Sequence, residues 1–155
     1  MRISSREKAL RLLLNVICVT LLAFSAFTVA IASTDVWVAN GDDTVTDLAT
    51  GLMWQQQDDD ITRDHTTAVS YCQNLSLAGH ADWRLPNIKE LNSIVDFRQS
   101  EPAIDTTAFP NTNSTQFWSA SSLAINTNQA WSVEFAFGVV FALGKTDVIL
   151  VRCVR

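Results

Sequence analysis

Histidine and cysteine are scarce in this chain. Its 155 residues include two histidines, His65 and His80, and three cysteines, Cys18, Cys72 and Cys153. The histidines form neither an HxxxH nor an HxH spacing, and no string pairs one with a free cysteine. This disfavours tetrahedral zinc ligation and His-based nucleophilic catalysis. Cations are also short, 11 Lys+Arg against 16 Asp+Glu. Nucleic acid and anionic lipid are held by basic patches, so neither is an expected partner. The sequence has no repeat period, no low-complexity tract and no strand–helix alternation with glycine-rich phosphate loops. No string singles out two carboxylates for glycoside hydrolysis. These gaps point away from an enzyme, and no cofactor or metal is expected.

What is present begins with a leader. Arg2, Arg6, Lys8 and Arg11 form a basic start, and Leu12 to Ala32 is a nearly unbroken apolar run. Ala30-Ile31-Ala32 supplies the small-x-small pattern of a signal-peptidase site, which predicts a signal peptide over 1–32 and a domain over 33–155. The competing reading is an uncleaved membrane anchor, since the run approaches the length that spans a bilayer. Cys18 lies inside the run, without the flanking residues of a lipoprotein signal. Cleavage leaves seven cations against fifteen acids, a net charge of −8. An exported chain is expected in the periplasm, at the cell surface or outside the cell. There its two remaining thiols have one possible pairing, Cys72 with Cys153. The chain-entropy model values a loop of that length at roughly 4–5 kcal/mol, as an upper figure.

Along residues 33–155 the pattern runs strands, helices, loop, strands. Asn40-Gly41 between Val36–Val38 and Thr44–Thr46 is a hairpin signal. Ala49-Thr50-Gly51 is a second turn, followed by a strand through Gln55. Thr66 to Leu75 reads as a helix capped by Asp64 or Thr66, with Ala68, Val69, Cys72 and Leu75 on its apolar face. Asn87 and Glu90 resemble a capping box before a second helix ending near Asp96. Gln99 to Thr115 is loop-like, and Leu123 to Gln129 is polar and turn-like. Phe117–Ser121, Trp131–Phe137, Val139–Phe141 and Val148–Val154 supply the closing strands. Strands followed by helices and further antiparallel strands predict an α+β fold, with two helices packed on short antiparallel sheets and a disulfide from helix to last strand.

Several strings are recognisable at this point: Asn40 through Trp54 (NGDxTVTDxATGLxW), Ala68-x-x-Tyr71-Cys72, Leu77 through Leu91 with Asp82-Trp83-Arg84-Leu85-Pro86 inside it, Pro102–Asp105, Phe109–Thr112, Phe117-Trp118-Ser119, and the closing Val151–Arg155. Together they resemble the Lcl C-terminal domain family, the domain first known from the end of a bacterial collagen-like adhesin. The resemblance covers nearly all of 33–155. It implies a C-type-lectin-like fold with a helix-to-terminal-strand disulfide. The named adhesin binds sulfated polysaccharides as a trimer on a collagen-like stalk. This chain has no collagen repeat and is acidic, so neither property is carried over.

The function expected is therefore a non-enzymatic, exported binding module at the envelope, with a glycan as the candidate ligand. The alternative is a structural or assembly domain held by another envelope protein. Asp82-Trp83-Arg84 reads as scaffold, an Asp–Arg pair around a buried ring. Asn40, Asp42, Asp43 and Asp47 resemble part of a calcium loop but lack its glycine and closing glutamate. The Glu-Pro-Asn type of sugar-binding triplet is absent, Glu101-Pro102-Ala103 being the nearest string. A ligand surface is expected between Gln99 and Gln129, edged by Trp118 or Trp131. Asn126, Asn128 and Gln129 would offer amides to uncharged hydroxyls, since functional residues concentrate on loops.

Overall fold

The structure, a computed structural model, describes residues 36–155. The leader, its cleavage site, Cys18 and the expected start at Ser33 lie outside the described residues. In chain order the elements are β1 (Trp37–Ala39), β2 (Thr44–Asp47), β3 (Met53–Gln55), α1 (His65–Asn74), α2 (Ile88–Ser93), β4 (Gln116–Leu123), β5 (Asn126–Glu134) and β6 (Val139–Gly144). They form two antiparallel three-stranded sheets, ordered β1-β2-β3 and β4-β5-β6. The fold is α+β, as the order of patterns predicts.

The local signals act where they stand. The β1–β2 turn uses positive φ at Gly41 and Asp43, 78° and 65°, which glycine and aspartate tolerate best among turn residues. Its register pairs Trp37 with Asp47 and Ala39 with Val45. The cap of α1 is Asp64, whose carboxylate accepts the Thr67 backbone N–H at 2.7 Å. The helix buries His65, Ala68 and Cys72, one face at helical spacing. In the capping box of α2, Asn87 accepts from Glu90 N–H while the Glu90 carboxylate accepts from Asn87 N–H. This helix stops three residues before the expected Asp96. Val95 instead forms an antiparallel bridge with Ile104, and Asp96 N–H donates to Ala103. The last apolar residues of the stripe thus pin the following loop.

Two expectations are corrected here. Residues 126–129 belong to β5, so only Ala124 and Ile125 separate it from β4. The residues read as a polar turn are a hairpin arm. The final residues are not a strand of either sheet. Instead, Ile149 bridges Arg63, Leu150 bridges Phe117, and Val154 bridges both Trp54 and Arg84. The segment is spread over several partners rather than laddered along one.

That segment lies between two cores. One gathers Val45, Trp54, Leu91, Ile94, Ile104, Phe109, Phe117, Val133, Phe135, Leu150 and Val154. The other gathers Ala68, Cys72, Trp83, Leu85, Trp118, Ala130, Val151 and Cys153. β4 contributes Phe117 to one and Trp118 to the other, because successive strand residues point to opposite faces. Cys72 and Cys153 are disulfide-bonded, with Cα atoms 5.5 Å apart. Among the described residues no helix is long and apolar enough to cross a membrane.

Because the bond closes a long loop, Cys72→Ser and Cys153→Ser should each lower stability by about 2–5 kcal/mol. The double variant should fall no further than either single one. Urea unfolding of the oxidised chain, repeated with reductant, measures this. A reductant effect smaller than about 1 kcal/mol would show that packing, not the cross-link, holds α1 to the closing segment.

Candidate functional site

The five residues expected around a ligand do not converge. Trp118 is fully buried, its indole N–H donates to Arg63 C=O at 2.9 Å, and His65 packs edge-on against it at 5.3 Å. It is a core residue and cannot face a ligand. Asn126 stands at the hairpin end, where its side-chain oxygen accepts the Asn128 N–H at 3.2 Å. By strand alternation Asn128 points to the opposite face from Gln129 and Trp131.

Gln129 and Trp131 do share a face. Both are half-buried, and neither side chain hydrogen-bonds to a described residue. Their partners across the β5–β6 register are Gly144 for Gln129 and Ala142 for Trp131. Two of the smallest side chains therefore flank the ring and the amide on the β6 side. The result is a platform of ring and amide, bordered over Gly144 by the Asp147 carboxylate. Sequence reasoning named both residues but missed what makes the platform, the small residues of β6. Register alone reveals them, and register comes from the Phe135–Gly138 turn.

Other candidate groups are engaged in structure. Trp83 is buried and donates to Leu77 C=O at 3.3 Å. The expected Asp82–Arg84 pair does not form. Asp82 pairs with Arg155 at 2.7 Å and Arg84 with Glu90 at 2.7 Å, because the closing segment brings Arg155 to Asp82 and the capping box of α2 holds Glu90 beside Arg84. In the acidic hairpin, Asp42 accepts from Thr44 Oγ1, while Asp47 accepts from Ala49 N–H at 2.8 Å and Thr50 Oγ1 at 2.6 Å. These carboxylates satisfy turns. Among the described residues no group of three or more His, Cys, Asp or Glu side chains could hold a metal. A cleft of about 210 Å³ opens between Trp37, Ile94, Val95, Asp96, Arg98 and Asp105. Its carboxylates are also committed. Asp96 accepts from Arg98 and Gln99, and Asp105 from the Thr107 and Ala108 N–H groups.

The cations are committed too. Each described arginine pairs with a carboxylate: Arg63 with Asp59, Arg84 with Glu90, Arg98 with Asp96, Arg152 with Asp58 and Arg155 with Asp82. These pairs pull Asp59, Asp82, Glu90 and Asp96 below the usual carboxylate range, chiefly through the arginine hydrogen bonds. Lys89 and Lys145 are left without a carboxylate partner among the described residues, and Lys145 Nζ donates to Ser122 Oγ at 2.7 Å. Among the described residues no cluster of uncommitted cations stands ready to cradle a polyanion.

Two short antiparallel sheets, two capped helices and a buried closing segment cross-linked to α1 define a small stapled α+β domain. The chain belongs to the Lcl C-terminal domain family, whose sequence model matches residues 43–155. No curated protein matches it significantly.

His65 gives the domain a pH dependence. Its Nε2 lies 3.0 Å from Ser119 C=O, so the neutral ring donates there. Burial, its largest influence, lowers its pKa below 6.5. The unfolded chain then takes up a proton at a higher pH than the folded one. Stability conferred by the neutral ring is complete above about 6.5 and is lost as pH falls from there towards the lowered value. Thermal melts from pH 7.5 to 5.0 should show this loss. His65→Gln retains a donor without titrating and should show a shallower decline. Parallel curves for the two proteins would remove His65 as the cause.

Proposed function

We propose that the chain is an exported, non-enzymatic binding module with a C-type-lectin-like fold, and that its ligand is an uncharged glycan at the envelope or outside the cell. The observation that carries this is the half-exposed Trp131 beside Gln129, flanked across the register by Ala142 and Gly144. A flat aromatic face can lie against the apolar face of a sugar ring. An adjacent amide can give and take hydrogen bonds with its hydroxyls. The committed arginines favour a neutral ligand over a sulfated one. The disulfide supports export, since such bonds persist in oxidising compartments. The polar groups engaged in turns, caps and ion pairs support binding over catalysis.

A second reading, an assembly domain held by another envelope protein, is favoured by a separate feature, the exposed apolar strand β6.

A glycan array probed with the oxidised chain should return neutral saccharides. Gln129→Ala and Trp131→Ala should each weaken binding at least about tenfold, ~1.4 kcal/mol. Gln129→Ala should do so with an unchanged melting temperature. Binding confined to sulfated glycans, or full binding by both variants, would displace the ligand from this face.

A further inference from the structure

The outer edge of the β4-β5-β6 sheet is an unprotected strand. β6 pairs with β5 without interruption, from Gln129↔Gly144 to Glu134↔Val139. No other described strand pairs with its far side. The phase of the ladder follows from Lys145, whose N–H donates to Asn128 C=O at 2.9 Å in continuation of the same register. Hydrogen-bonded pairs alternate with non-bonded ones, so Leu143, Phe141 and Val139 bond inward to β5. The Ser132 hydroxyl donating to Phe141 C=O fits this phase. Val140, Ala142 and Gly144 therefore turn their N–H groups outward. The carbonyls of Val140 and Ala142 turn outward with them, while that of Gly144 accepts from Asp147 N–H.

This edge carries none of the usual protections. Val139–Gly144 contains no charge, no proline and no bulge. Val139, Val140 and Phe141 are exposed, and the apolar surface continues past the end of the strand. Phe137 is 59% exposed and Phe97 71%. Phe97 lies against Gly138, the residue after Phe137, where any side chain would collide with Val95 and Phe97. An exposed, flat, apolar edge is a template for another strand.

We propose that β6 is a docking edge for an extended segment of another protein, with alternating apolar residues and a basic side chain at each end. The outward N–H and C=O groups specify an extended backbone, since only a strand offers donors and acceptors at that spacing. The charge at the ends comes from the rim. Glu134 stands opposite Val139, and Glu101 N–H donates to Ala136 C=O, which places both acids at the Val139 end. At the other end the Asp147 carboxylate lies 3.4 Å from where a β-carbon on Gly144 would stand. None of the three is in a salt bridge with a described residue. Lys145 is drawn across β5 to Ser122 on β4, away from the edge. A second copy of this chain is a poor occupant. Two-fold antiparallel pairing would set the Glu134 end of one copy against the Asp147 end of the other, like charge on like. This inference goes beyond the glycan reading and does not depend on it.

The test uses the full oxidised chain and three capped heptapeptides: Lys-Val-Thr-Val-Thr-Val-Lys, its Glu-ended counterpart, and the Lys-ended peptide N-methylated at alternate amides. The Lys-ended peptide should bind at least tenfold tighter than the Glu-ended one, and the methylated peptide should lose binding. Amide exchange at Val140 and Ala142 should be fast in the free chain and slowed by the Lys-ended peptide. Ala142→Pro removes only an outward N–H, so it should fold and fail to bind. Should it not fold, Glu101→Gln, Glu134→Gln and Asp147→Asn together serve instead and should abolish the preference for Lys ends. Equal binding of Lys- and Glu-ended peptides, or no slowing at Val140 and Ala142, overturns the proposal. So does concentration-dependent dimerisation in sedimentation that Ala142→Pro abolishes, since the occupant would then be a second copy.

Discussion

The segment Ile149–Arg155 holds the two sheets and α1 in one frame. Its backbone exchanges paired hydrogen bonds with Arg63 through Ile149, with Arg84 through Val154 and with Met53 through Arg155. Trp118 donates to Leu150 C=O and Gln55 to Cys153 C=O. Leu150 through Val154 are all buried. The side chains alternate as in a strand. Leu150 and Val154 enter one core, and the Arg152 guanidinium lies 5.0 Å above the Phe109 ring of that core. Val151 and Cys153 enter the other. A one-residue slip would exchange every one of these side chains between cores. The Cys72–Cys153 bond prevents that slip, so the cross-link fixes register as well as restricting the unfolded chain.

Arg152 is the costly element of this arrangement. Its side chain is fully buried, and burial draws its pKa down to about 10. The desolvation is offset at the two terminal nitrogens, while the buried Nε has no hydrogen-bond partner among the described residues. One terminal nitrogen donates to Gln55 C=O at 3.1 Å and to Gln56 C=O. The other donates to Thr112 Oγ1 at 2.9 Å and to Asp58 at 3.3 Å. Asp58 is raised by its own burial, against the pull of Arg152. A buried ion pair of this kind adds little net stability, and removing one partner leaves the other uncompensated. What it supplies here is placement. A planar fork can tie the end of β3, the acidic loop and Thr112 to one point, which a lysine could not do.

The local features of this fold are legible in the sequence. Asn40-Gly41, Asp64 and the Asn87–Glu90 pair act within a few residues of themselves, so their chemistry is written in neighbouring letters. Val148–Val154 reads as a closing strand, and its buried residues do alternate between the two cores, but neither sheet takes the segment up. What the letters do not carry is the partner. Arg155 reaches Asp82, and Arg84 turns to Glu90, because the closing segment lies beside the link 82–86. Trp118 and Trp131 look equivalent as aromatic residues flanking a polar stretch. Their fates differ because Trp118 points toward α1 and Trp131 toward Ala142.

The long polar stretch is a poor place for a ligand. Its first part is held by the core. Glu101 and Ala103 donate to Ala136 and Phe135, Ile104 and Phe109 are fully buried, and Thr112 accepts from Arg152. Loops that serve as core have little freedom to present side chains. The exposed surface that remains lies where the closing segment does not reach. It pairs with Arg63, Arg84, β3 and β4, and it forms no bridge to β5 or β6. β6 is held by β5 alone in its sheet. The β5–β6 arm thus carries both an open face at Gln129 and Trp131 and an unpaired edge at Val140 and Ala142. A rigid frame that consumes its arginines, its acidic turns and its long loop leaves this arm as the surface with chemistry to spare.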